Sequence, residues 1–139
     1  MTQEQKELLL KDLCARLLYG VKVNNEIQGD FEIYGICENY IFARSTTNHA
    51  DFHIEKIKPY LFPLSSMTAE QLFEAQEILG KNEIEIEDGF LHIVDSDRNT
   101  ITYLEILALL EWFYKNHFDV YGLIEKSLAL DATNLGIYE

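Results

Sequence analysis

The chain has 139 residues, 47% of them apolar, and a formal charge of −13 at pH 7. That length and apolar share suit one compact domain over residues 1–139, able to bury roughly two thirds of its unfolded surface. The acidity repels phosphate backbones and so disfavours nucleic acid as a partner, and no apolar run approaches the roughly 20 residues needed to span a bilayer.

The opening segment MTQEQKELLLKD lacks a basic start followed by an apolar stretch, so a cytoplasmic location is expected. It also begins a helix. Thr2 and Gln5 have capping-box spacing, Leu10, Leu13, Cys14, Leu17 and Leu18 follow an i, i+3, i+4, i+7, i+8 stripe, and Gly20 is placed to end it. Cys14 and Cys37 match no close-spaced metal or redox motif and read as small buried side chains.

From Val21 to Ile54, short β-prone runs (VKV, FEIYGI, YIFAR, DFHI) alternate with turn-forming segments, which predicts an antiparallel meander. Two candidate sites fall in it. In NHADFHIE, residues 48–55, alternate positions of a strand share a face, so His49, Asp51 and His53 are candidate ligands for zinc or another divalent ion. The strand is expected to bend near Glu55 and turn that fourth ligand away, with Pro59 limiting pairing beyond. The other reading of the trio is the wet side of a half-exposed strand.

The second candidate draws on the meander's aromatics. Tyr34, Tyr40, Phe42, Tyr60 and Phe62 could stack on a base, with Arg44, Lys56 and Lys58 the nearby cations for a phosphate, which makes a nucleotide-sequestering protein the main alternative function. A packed core is the competing use for the same rings.

Thr68 with Gln71 caps a second helix, Met67 can staple onto Leu72, and Gly80 is a stop. In EIEIEDGFLHIV, Asp88-Gly89 predicts a two-residue hairpin turn that pairs Glu87 with Phe90, Ile86 with Leu91, Glu85 with His92 and Ile84 with Ile93. A long helix over 101–115 has only a narrow polar stripe of Thr102, Glu105, Glu111 and Lys115, so it is expected to be buried on more than one side or to form a homodimer seam. His117 reads as a basic cap on that helix, and the tail, with Leu123, Ile124, Leu128 and Leu130, as wrapping back on the core. The sum is an α+β fold: N-terminal helix, antiparallel meander, helix, β-hairpin, long buried C-terminal helix.

No phosphate loop, nucleophile elbow or paired-cysteine motif occurs, so no catalytic residue and no cofactor is assigned. The charge is uneven: Glu70 to Glu111 holds eleven acidic residues against Lys81 and Arg98. Glu70, Glu74 and Glu77 share a helical face, where like charges repel by a few tenths of a kcal/mol until a partner relieves them. With Glu83, Glu85 and Glu87 of the hairpin they form the candidate docking surface for a basic protein.

Three stretches, KELLLKDLCARLLYGVKV (6–23), IKPYLFPLSSMTAEQ (57–71) and WFYKNHFDVYGLIEKSLAL (112–130), resemble a family of small uncharacterised proteins encoded by gut bacteria, their phages and integrated mobile elements. In that family the middle motif reads closer to KPYLRPLSSMT, and Phe62 stands here at the arginine position. The resemblance implies an accessory protein of a phage or mobile element, brings no catalytic residues, and does not include the His49/Asp51/His53 alternation.

Overall fold

The computed structural model describes residues 1–80, 83–88, 90–94 and 102–139. It is α+β. Helix α1 (Gln3–Arg16) starts at Thr2, whose hydroxyl accepts from Gln5 N while the Gln5 side chain returns to the Thr2 N–H. The buried face of α1 is not the expected stripe. Leu9, Asp12, Leu13 and Arg16 point inward, Leu10 and Leu17 only flank the core, and Cys14 and Leu18 face solvent, Leu18 at 90% exposure. The pattern misleads because an ion pair between Asp12 and Arg16 takes an inward position that polarity alone assigns outside. Cys37 is exposed as well, so neither cysteine is the buried side chain expected. A 3-10 turn over Leu17–Tyr19 tightens the exit, and Gly20, at φ 68°, ends it as expected.

The meander comprises β1 (Lys22–Asn25), β2 (Gly29–Cys37), β3 (Tyr40–Arg44) and β4 (His49–His53), each antiparallel to the one before. The sheet then extends further than predicted. Pro59 lies within β5 (Lys58–Leu61), opposite Val23 of β1, and the chain's end supplies β8 (Leu130–Asp131), parallel to β5. The sheet order is β4-β3-β2-β1-β5-β8. Helix α1 covers one side, where Leu9 and Leu13 meet Val23, Phe31, Ile33, Ile41 and Phe52. The alternate residues face away from that core.

A second core forms around α2 (Ala69–Ile78), the hairpin β6 (Glu83–Glu87) and β7 (Phe90–Val94), and α3 (Tyr103–Lys115). The hairpin register is the predicted one, Ile84 opposite Ile93 and Glu85 opposite His92, with Asp88 at φ 53°. Gly89, the other turn residue, lies outside the described residues, as do Lys81, Asp95, Asp97 and Arg98 of the acidic stretch. Leu64, Ala75, Leu79, Ile84, Leu109, Phe113 and Phe118 fill the interior. The expected burial of α3 on several sides does not hold. Its inward side carries Leu109 and Phe113, but Tyr103 and Leu104 are 74% and 75% exposed and Leu107 is also open to solvent. Among the described residues, no helix is long and apolar enough to cross a membrane.

The tail wraps back on the core, as the sequence predicts, and in doing so joins the two clusters. Phe62 N donates to His117 O and Asp119 N to Phe62 O, both at 2.8 Å, and Leu123 and Leu128 are buried under α1 and the sheet. The tightest joint is polar. Arg16, with no exposed surface, grips Asp12 through Nε and Nη2 at 2.7 and 2.9 Å, donates from Nη2 to the Phe118 carbonyl, and lies over the Tyr114 ring. Burial raises the Asp12 pKa, opposed by the Arg16 charge and hydrogen bonds. Replacing Arg16 by methionine is therefore expected to cost about 3–5 kcal/mol, because it strands a buried carboxylate. The double replacement Asp12→Leu with Arg16→Met should cost less, and urea unfolding of the two variants checks the order.

Candidate functional site

Helix α2 positions the leading candidate surface. Thr68 and Gln71 form the capping box predicted, with hydrogen bonds of 2.9 and 3.2 Å, and Leu72, Ala75, Ile78 and Leu79 turn toward the second core. That leaves Glu70, Glu74 and Glu77 on the outer face, all exposed. In their midst is a residue the sequence reading passed over: Phe73, 62% exposed. A helical projection contains the signal, since Phe73 stands three after Glu70 and four before Glu77. Three carboxylates around an unburied aromatic ring offer a partner both charge and an apolar anchor.

Glu83, Glu85 and Glu87 alternate along β6 and are exposed, while Ile84 and Ile86 face the second core. The six candidate acidic residues thus all reach solvent. They sit on two different elements, a helix face and a strand face.

The residues assigned to the nucleotide alternative do not converge. Arg44 lies on β3 beside a cavity of about 420 Å³ that it shares with Lys22 and Glu32, whereas Lys56 and Lys58 border a separate one of about 330 Å³ beyond β1. Three strand spacings, roughly 14 Å, separate β3 from β5. Tyr60 is buried, and its hydroxyl donates to Asp30 at 2.8 Å. Burial first, then that carboxylate, pushes its pKa up to about 12. Arg44 is instead placed over Tyr34 and 3.6 Å from Glu32.

His49, Asp51 and His53 do share the outward side of β4, but they pair across to Arg44, Phe42 and Tyr40. His49 stands edge-on to Tyr34 and His53 to Tyr40, and His53 Nδ1 accepts from Glu55 N at 3.3 Å. Glu55 leaves the strand in a 3-10 turn, as expected, and pairs with Lys6 at 2.8 Å. Among the described residues, no three His, Cys, Asp or Glu side chains are grouped to hold a metal ion. Strand alternation spaces same-face side chains two residues apart, and each ring here is drawn to a neighbour on β2 or β3 instead.

His117 differs from its expected role. Asn116 is the residue that caps α3, its side chain donating to the Trp112 carbonyl at 2.9 Å, while His117 follows at φ 63°. The imidazole stacks on Tyr138 with centroids 3.6 Å apart, beside a cavity of about 810 Å³ under the last residues of the chain. Burial, then the positive charges of Arg16 and Lys22, holds its pKa down near 4, so it is neutral and contributes no cation to the helix end.

Comparison with protein-family models, curated proteins and solved structures gives no match for this chain. The site has to be read from its own chemistry.

Two outcomes follow. Because the folded His117 pKa, about 4, lies below the unfolded value near 6.5, the unfolded chain takes up a proton first as pH falls. The stability tied to the neutral ring is complete above pH 6.5 and is lost down to about pH 4. Melting temperatures of wild type and His117→Gln from pH 7 to 4.5 should show the smaller decline in the variant. Adding zinc or manganese to protein purified without an affinity tag should leave the melting temperature unchanged, and a rise on titration would restore the β4 trio as a metal site.

Proposed function

We propose that this chain is a non-enzymatic accessory protein of a phage or mobile element, acting in the cytoplasm by binding a basic host or toxin protein, in the manner of anti-defence or immunity proteins. The observation that carries this reading is the outer face of α2, where Glu70, Glu74 and Glu77 surround the exposed Phe73. Three carboxylates within two helical turns repel one another, so a cationic partner gains their relief in addition to the direct attraction. Phe73 gains by leaving water in the same event. The hairpin's Glu83, Glu85 and Glu87 extend the negative field and speed encounter rather than fix the complex. The mobile-element origin rests on the resemblance of the three sequence stretches alone.

Homodimerisation through α3 is a second reading, favoured by the exposure of Leu104 and Leu107. Self-repulsion between two copies of formal charge −13 opposes it.

The test is affinity capture from host lysate. Wild-type protein should retain a basic partner that is weakened by high salt, and Phe73→Ala or the triple variant Glu70→Lys, Glu74→Lys, Glu77→Lys should lose it. An unchanged set of captured proteins would sink the docking role of α2. Sedimentation across a concentration series decides the second reading: a dimer abolished by Leu104→Lys with Leu107→Lys would establish the α3 seam.

A further inference from the structure

A different apolar feature lies between α3 and the hairpin, and no α2 residue lines it. Ile106, Leu109, Leu110 and Phe113 follow one another at i, i+3, i+4 and i+7 and make one wall of a cleft of about 530 Å³. Leu91 and Ile93 of β7 make the facing wall. Ile93 and Ile106, 36% and 40% exposed, carry the apolar lining toward the surface.

We propose that this cleft receives a basic amphipathic helix of a partner protein, seated against α3 and β7. The α3 stripe spans seven residues, about 10 Å of helix axis, which is the separation of the first and last anchors of an i, i+3, i+4, i+7 face on a docked helix. A volume of this order holds a few branched side chains and buries them against aliphatic walls, where each contributes about 1.5–3 kcal/mol before ordering costs.

Charge selects the chemistry of the occupant's other face. Glu125 lines the rim and is exposed. Asp119 is buried and its two oxygens already accept from Leu123 N and Ile124 N at 2.8 and 3.0 Å, so they are not open to an occupant. Lys126 is the cation in the described lining, and it donates to the Tyr121 carbonyl at 3.2 Å. The whole molecule carries a formal charge of −13, a field that attracts cationic segments and repels a second copy. The inference goes beyond the α2 docking reading, and no residue of α2 lines the cleft.

The probe is a fluorescently labelled leucine/lysine amphipathic peptide about 18 residues long, titrated with the full chain and followed by anisotropy. Two control peptides accompany it, one with the same composition but lysines on every face, the other with glutamine for lysine. The amphipathic cationic peptide should bind best. Ile106→Arg and Ile93→Arg, both at partly exposed positions where folding is preserved and checked by thermal melting, should each weaken it by about tenfold or more. Leu110→Ala, which keeps the cleft neutral, should weaken it as well.

The α2 triple reversal should change binding at high salt by no more than about twofold, because there the contact term outlasts the screened field. Absence of peptide binding, equal binding of the peptide with scattered lysines, or indifference to all three cleft variants would overturn the cleft site while leaving the lysate test of α2 untouched. A concentration-dependent dimer abolished by Ile106→Arg would give the cleft to a second copy and overturn the proposal in another way.

Discussion

A guanidinium shut off from solvent, that of Arg16, holds the two halves of this molecule in register. It reaches from α1, which covers the sheet, to the carbonyl of Phe118, which belongs to the core under α2 and α3. Burying the Asp12–Arg16 pair is costly in desolvation, and the bidentate geometry with the Phe118 contact offsets that cost without making the pair a large source of stability. What the pair supplies is direction. Only one rotation of α1 brings both charged groups to their partners, and that rotation is the one that sends Leu18 and Cys14 outward.

Around this joint most polar groups are paired, Arg16 Nη1 and His117 Nδ1 being buried without a hydrogen-bond partner among the described residues. Asp119, one residue past Phe118, uses its carboxylate to bind the backbone of Leu123 and Ile124, so the loop after α3 is fixed before it returns to the sheet. Phe118 itself stacks with Trp112 and meets Phe113 edge-on. The C-terminal half of α3 is thereby tied down from several directions, and Tyr19 adds a hydrogen bond to Glu111 at 3.0 Å. In its N-terminal half, Tyr103, Leu104 and Leu107 face water.

The sheet's outward side points to a different physics. Tyr34, Tyr40, Arg44, His49 and His53 form cross-strand contacts among themselves, and Phe42 packs where Gly35 has no side chain, since a Cβ there would stand 3.3 Å from the ring. These contacts stabilise the β4 edge, which ends the strand order among the described residues. The histidines of NHADFHIE are engaged in that lattice of ring contacts rather than collected into one coordination sphere.

Much of the fold was legible in the sequence because local chemistry specifies it. Thr2 with Gln5 and Thr68 with Gln71 start helices wherever the chain places them, and Asp88 followed by glycine sets a hairpin register that alternation of isoleucine and glutamate then repeats. The acidic stripe of α2 was legible too, since i, i+4 and i+7 geometry is intrinsic to a helix. What the sequence could not supply is which chain segments meet. The apolar stripe left Asp12 and Arg16 out of the inward face of α1, and the carbonyl that the guanidinium reaches is 102 residues away. Composition assigned α3 to the interior, but how much of a helix is covered depends on the packing of α2, the hairpin and the tail against it. Pro59 read as a barrier to pairing, and it pairs because β1 lies beside it after the meander closes. Local rules are written in neighbouring residues; burial, pairing of distant strands and the convergence of side chains into a site depend on contacts that exist only once the chain has folded.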